Sequence, residues 1–493
     1  MCSSALPQQR ILRLRRSAVL GLLLGALLAG CAGETSVLLP PQRPQGLGQA
    51  RSAGLPAESE HQRLLAAFGG DYAAPGARRL VEEIVARLVT TGDNPALNYQ
   101  VTLLNSPVVN AFALPSGRIY VTRGLLALGN DTSEIAAVLA HEIAHVTLRH
   151  AMRRAEREAE NAVVSQVVSD VLQDPGGGAA MRSNARLSLA RFSRQQELEA
   201  DQIGVRHAAR AGFDPYGAVR FLNGLSRATT FRSMMTGQQA SGRGMDILSS
   251  HPSTPERIAA VTAAARQISA PGIGERDAAR WLAAADGLAY GDDPTEGLVR
   301  GQRYINASLR LSFVAPEGYQ LESAREMVIG STGDGNRALR FDSVQLKSGQ
   351  TMENLLASGW IEGVQPGPAQ NLTINGMPVS IASGRGADWS FRMAAIQASG
   401  RTFRLIMAAK GSADLETPMN AVLQSLRSLS ASEASATRPL RIGLVTAVAG
   451  DSSAGLAGRM AVPERALDQF LILNGLERGS AIVPGQRYKA IVE

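Results

Sequence analysis

Residues 141–145 read His-Glu-Ile-Ala-His, inside a run whose other members include Ile135, Val138, Leu139 and Val146. A helix over this stretch turns about 400° in four residues, so His141 and His145 share one face. The apolar neighbours bury that helix in a core, and two imidazoles and a carboxylate do not enter a core without partners. A zinc ion is the partner this pattern fits. Two histidines on adjacent turns grip the metal, and Glu142 lies where it can take a proton from a zinc-activated water. The spacing predicts a helix over Thr132–His150, with Asp131 or Thr132 as its N-cap and Glu134 in its first turn.

The third ligand must come from elsewhere, and Glu197 in the run Glu197-Leu198-Glu199-Ala200-Asp201 is the best candidate. Glu197 and Asp201 share a helix face. Glu197 can complete the zinc shell while Asp201 accepts a hydrogen bond from a ligand imidazole and fixes its tautomer. Glu199 points about 200° away and reads as a surface charge. His150 lies about 140° round from His145 on a continuing helix, so it reads as a supporting or surface residue rather than a ligand.

The formal net charge is +7, four of it from Arg10, Arg13, Arg15 and Arg16, which leaves +3 for the rest. That is too mild for a nucleic-acid binder, so none is expected as a partner. Those arginines precede the apolar run Ala18–Leu28, which is too short to span a bilayer comfortably and fits a secretory signal at residues 1–30. Leu28-Ala29-Gly30-Cys31 resembles the bacterial lipobox, which implies cleavage before Cys31, lipidation of that residue, and sorting to the inner leaflet of the outer membrane. With Cys2 removed and Cys31 acylated, no disulfide would remain and the folds would rest on packed cores.

Residues 31–55 read as a flexible tether rich in Pro, Gly, Gln and Ser. Residues 56–270 are mostly helical, with helices expected over Gly76–Thr91, Arg153–Asp174 and Gln195–Ala211. Pro107–Leu114 and Arg118–Thr122 read as strands joined by a turn, which could set an edge strand near Asn110, Ala111, Phe112 and Ala113 beside the metal, able to pair with an extended peptide. A connecting segment, 271–300, leads to a domain over 301–430 that mixes short strands with helices at Met352–Ser358 and Leu415–Leu429. A linker at 431–439 precedes a strand-helix-helix-strand segment at 440–493. The fold class is therefore α+β: a mainly helical metal-binding domain with a small edge sheet, an α+β domain without histidine, and a small βααβ module.

His141-Glu142-Ile143-Ala144-His145, Ser193-Arg194, and Glu197-Leu198-Glu199-Ala200-Asp201 with Gly204 resemble the CAAX-prenyl-protease and HtpX-like gluzincin metallopeptidases, as does Asn110-Ala111-Phe112-Ala113-Leu114-Pro115. The resemblance covers about residues 56–270 and is nearest to the periplasmic branch. It implies a zincin-type fold, one zinc per chain, His141, His145 and Glu197 as ligands, Glu142 as base and Asp201 as support. His251-Pro252-Ser253-Thr254-Pro255-Glu256-Arg257 is similar to a segment of that branch in which the histidine can fill the open zinc position. Carried over, His251 is a regulatory fourth ligand or a stabiliser of the tetrahedral intermediate, and Arg257 an aid to the oxyanion or a structural ion pair.

Val445-Thr446, Gly450-Asp451, Leu473-Asn474-Gly475-Leu476 and Pro484-Gly485-Gln486 resemble the LysM module, which implies peptidoglycan as a possible partner, although Ser452-Ser453 departs from the usual pair after Gly-Asp. The expectation is an outer-membrane-anchored periplasmic zinc endopeptidase acting on unfolded or misassembled envelope proteins. The alternatives are a non-proteolytic chaperone or peptidoglycan-binding scaffold, and a peptidase of peptidoglycan peptides.

Overall fold

The computed structural model describes residues 57–92, 98–154, 156, 192–236, 251–293, 296–324, 327–358, 361, 363–386, 388–462 and 465–493. The signal-like N-terminus, Cys31, the tether and most of the helix expected over Arg153–Asp174 lie outside the described residues. Among the described residues, no helix is long and apolar enough to cross a membrane.

The first half is built on helices α1 (Ala57–Ala67) and α2 (Pro75–Thr91), strands β1 (Gln100–Leu104), β2 (Ala111–Leu114) and β3 (Arg118–Thr122), and helices α3 (Arg123–Leu128) and α4 (Thr132–Thr147). Helices α5 (Arg194–Arg210), α6 (Gly217–Thr236), α7 (Pro255–Ile268) and α8 (Ala278–Ala285) follow, then the short strand β4 (Ala289–Tyr290). In α2 the expected face of Leu80, Ile84 and Leu88 is buried. The sheet order is β1-β3-β2, with β1 parallel and β2 antiparallel to β3, so β2 is an edge strand as the sequence suggested.

In this half two boundaries differ from the reading of the sequence by more than one residue; in the second half the helix expected over Leu415–Leu429 is confined to Glu416–Ser425. The strand expected from Pro107 begins only at Ala111, because the Val108 carbonyl accepts from Thr122 Oγ1 (2.6 Å) and the Asn110 N–H donates to that same oxygen (2.9 Å), a side chain standing where ladder partners would be. The metal helix ends at Thr147 rather than His150, because Arg149 takes the left-handed conformation (φ 56°) and breaks the helical ladder.

In the second half, an antiparallel sheet runs in the order 365–366, Met377–Arg385, Trp389–Ala398, Arg401–Lys410, Arg337–Val344, Met327–Thr332, Tyr319–Ala324, and Gln370–Ile374 also pairs with Met377–Arg385. Helix Glu416–Ser425 covers one face, burying Met419, Val422 and Leu423 against Phe341, Phe403 and Leu405. The segment read as a linker contains a short helix, Ala431–Ala436, closed by a capping box between Ser430 and Glu433.

The last segment has the expected order: strand Leu440–Thr446, helices Ser453–Ala457 and Ala466–Leu473, and strand Arg487–Val492. Its sheet takes in β4, and its Ile442, Leu456, Phe470 and Ile491 belong to one continuous core with Leu125, Leu139 and Trp281 of the helical half. Lys489, fully buried, donates to the carbonyls of Ala127, Leu128 and Gly129 (2.7, 3.3 and 2.6 Å), the backbone that feeds into α4. Replacing Lys489 by Met removes the donor of the Ala127 carbonyl, while Gly129 keeps the Trp281 Nε1–H (2.8 Å) and Leu128 the Asn130 amide (3.1 Å). The substitution is expected to lower unfolding free energy by about 1–3 kcal/mol, read by urea denaturation.

Candidate metal centre

Helix α4 starts where the sequence places it. Asp131 caps it by accepting the Glu134 N–H (3.0 Å), and Ser133 through His145 are all buried. Helix α5 starts at a capping box in which Ser193 and Gln196 satisfy each other's backbone N–H groups. The two helices meet closely at Gly204, where a Cβ would come within 3.0 Å of the His141 backbone nitrogen and 3.2 Å of its Cα. That absent side chain lets Glu197 and Asp201 reach the histidine face.

Donor atoms of His141, His145, Glu197 and His251 lie within 4.8 Å of one another. His141 Nε2 is 3.0 Å from His145 Nε2, 3.3 Å from His251 Nδ1 and 3.6 Å from Glu197 Oε2. Glu197 Oε1 is 3.5 Å from His145 Nε2 and 2.9 Å from His251 Nδ1. Four donors on a tetrahedral zinc with bonds of about 2.0–2.1 Å are spaced by about 3.3 Å, so these separations suit that ion. Three imidazole nitrogens and a carboxylate are also the donor types zinc takes. Glu142 is 2% exposed, and its Oε1 has no hydrogen-bond partner, an orphaned acceptor beside the donor cluster. The residues therefore fit zinc.

The supporting contacts are as specific as the donors. Asp201 Oδ1 lies 3.0 Å from His141 Nδ1, while the ring's Nε2 faces the donor cluster. Arg257 grips Asp201 through Nε and Nη2 (both 2.7 Å), and its Nη1 lies 2.7 Å from Glu197 Oε2 and 3.0 Å from the Pro252 carbonyl. Of the two roles weighed for Arg257, the geometry supplies the ion pair. Its guanidinium clamps the two acids of α5. The Phe192 ring stacks on His145 with centroids 4.0 Å apart.

Burial pushes the Glu142 carboxyl up from its ordinary value, and nearby His251 and His141 oppose that rise only in part. A raised carboxyl pKa suits a group that takes and then returns a proton. Burial also holds His145 well below the ordinary histidine range, reinforced by His141 and His251, which keeps the imidazole neutral as a ligand requires. For Glu197, burial works against ionisation, yet His251 and His141 hold its carboxyl far below the usual range.

The structure thus gathers His141, Glu142, His145, Glu197, Asp201, His251 and Arg257 at one place. Strand β2, carrying Ala111, Phe112 and Ala113, packs against α4, while Asn110 sits just before it, its N–H on Thr122 Oγ1 (2.9 Å). Sequence reasoning missed two features. Glu199, taken as a surface charge, reaches the buried His150, with Oε2 3.4 Å from Nε2. An apolar cavity of about 40 Å³ adjoins Glu142, lined by Ala137 and Val138 of α4 and by Ala218, Phe221, Leu222 and Leu225 of α6. The helical spacing of those α6 residues was the signal available for it.

Residues 76–265 match the family model described as Peptidase family M48, a family of zinc metallopeptidases, and the donor cluster within that stretch suits the same metal. Relatives agree with that assignment. The chain is 32% identical over 178 residues to mitochondrial metalloendopeptidase OMA1 of Schizosaccharomyces pombe, covering 36% of this chain and 50% of the relative. It is 33% identical over 161 residues to the OMA1 of Arabidopsis thaliana, covering 33% of this chain and 30% of the relative. Against the β-barrel assembly-enhancing protease of Escherichia coli K12 the identity is 24% over 333 residues, covering 59% of this chain and 66% of the relative. The chain therefore spans less than two thirds of the length of each of these three relatives.

Proposed function

We propose that the protein is a zinc-dependent endopeptidase of the bacterial envelope that cleaves unfolded or misassembled envelope proteins. One observation carries the reading: four zinc-type donors converge on one point, with the unpartnered carboxylate oxygen of Glu142 beside them. His141, His145 and Glu197 hold the metal. Zinc, when bound, lowers the pKa of water and polarises a carbonyl. Glu142 takes the proton of the attacking water and passes it to the leaving amine. Asp201 orients His141, and Arg257 fixes Asp201 and Glu197. The edge of β2 offers backbone groups to an extended substrate, which favours unfolded segments. The lipobox-like sequence at Cys31 and the likeness to the Escherichia coli β-barrel assembly-enhancing protease support the envelope setting.

Substrate preference follows from the cavity beside Glu142. The residue that supplies the leaving amine stands next to the carboxylate that protonates it, so its side chain enters the cavity formed by α4 and α6. Fragments of β-casein mapped by mass spectrometry are expected to begin mostly with aliphatic or aromatic residues. A predominance of charged residues there, or no zinc-dependent fragments at all, contradicts the assignment.

His251 Nδ1 stands among the donors, and its Nε2 is 3.8 Å from Glu142 Oε1. We assign it the fourth zinc position in a closed resting state, from which substrate must displace it. His251→Ala is expected to raise kcat/KM on casein, about tenfold where the closed state holds about nine molecules in ten. A large fall would instead make His251 a stabiliser of the transition state.

A further inference from the structure

We infer that His150 and Glu199 form a positioning relay behind the metal ligand His145, an inference that rests on the zinc reading above. On a continuing helix His150 would face about 140° away from His145. The chain prevents this by ending α4 at Thr147 and placing Arg149 at φ 56°, a left-handed conformation that costs a non-glycine residue and persists where surrounding structure enforces it. The turn brings His150 back under the metal helix with no exposed surface, its Nδ1 2.9 Å from His145 Nδ1. The Gln196 side chain donates to the His150 carbonyl (3.2 Å), which pins this turn to the start of α5.

Proton positions follow from the geometry. His145 presents Nε2 to the donor cluster, so its ring hydrogen is on Nδ1 and is donated to His150 Nδ1. His150 therefore accepts at Nδ1 and carries its own hydrogen on Nε2, which it donates to Glu199 Oε2 (3.4 Å). Each of the two α4 histidines thus has a carboxylate behind it, His141 with Asp201 Oδ1 3.0 Å from its Nδ1, and His145 through His150 on Glu199. Such outer partners fix the ring's tautomer and orientation and raise ligand basicity. His150 and Glu199 are positioning residues, since neither reaches the substrate or the donor cluster itself.

The test compares zinc affinity, by competition with a chromophoric chelator, and the visible spectrum of the cobalt-substituted protein for wild type, His150→Asn, His150→Gln and Glu199→Gln. Wild type is expected to take one equivalent of zinc. His150→Gln, which leaves the His145 Nδ1–H without its acceptor, is expected to weaken zinc binding about 10- to 100-fold and to shift the cobalt bands. His150→Asn places an amide oxygen near the position of the ring Nδ1 and is expected to stay within about threefold of wild type. Glu199→Gln alters a half-exposed side chain, and is expected to weaken binding by at least about threefold. Wild-type affinity and spectrum in both His150→Gln and Glu199→Gln, or an Asn variant as weak as the Gln variant, overturns the relay while leaving the zinc site standing. A wild type that takes up no zinc overturns both.

Discussion

Glu142→Gln is expected to lower kcat/KM for casein hydrolysis by about 10²- to 10⁴-fold while the protein still carries one zinc per chain. The substitution keeps the shape of a side chain that is 2% exposed, so packing around α4 changes little. It removes only the ability to accept the water's proton and return it to the leaving amine. Glu142 Oε1 makes no hydrogen bond that the amide would break, which is why stability and metal content are expected to stay near wild type. A non-proteolytic chaperone or scaffold gives a different result, since client holding would be equal in the two proteins and neither would cleave. Robust cleavage by Glu142→Gln would sink the mechanism.

Glu197→Ala is expected to abolish both zinc retention after dialysis and cleavage. The carboxylate stands 3.6 Å from His141 Nε2 and 3.5 Å from His145 Nε2, in the position of the third protein ligand. It also lies 2.7 Å from Arg257 Nη1 and 2.9 Å from His251 Nδ1. Its removal leaves the buried guanidinium paired with Asp201 alone, so the metal-free variant should also lose about 1–3 kcal/mol of stability relative to the metal-free wild type. The thermal upshift that zinc gives wild type by binding only the folded state should disappear. Full zinc occupancy in Glu197→Ala would move the third ligand elsewhere.

Much of the centre was legible because it is local. The spacing of His141 and His145, the cap at Asp131 and the pair Glu197 and Asp201 are all set within a few residues, where helix geometry determines which side chains share a face. The two strands Ala111–Leu114 and Arg118–Thr122 were legible as a hairpin, but the parallel partner Gln100–Leu104 was not, since no local pattern announces a non-local ladder. The turn at Arg149 was hidden for a different reason. Nothing in Thr147-Leu148-Arg149-His150 marks a left-handed residue, so extrapolating the helix sent His150 outward, and Glu199, read from its own helix phase as a surface charge, had no buried partner in view. Tertiary contacts with His145 and Gln196 hold the turn instead. The same limit applies at the C-terminal end. The βααβ order could be read from alternating apolar runs, but not the burial of Lys489 under the carbonyls before α4, which joins residues far apart in the chain.

The metal site is the claim on which the rest depends, and anomalous diffraction at the zinc edge from crystals grown with the metal addresses it directly. The expected result is one strong peak per chain, about 2.0–2.2 Å from His141 Nε2, His145 Nε2 and a Glu197 carboxylate oxygen. A peak bound through Asp201 or His150 instead, or no peak within reach of both α4 histidines, would contradict it.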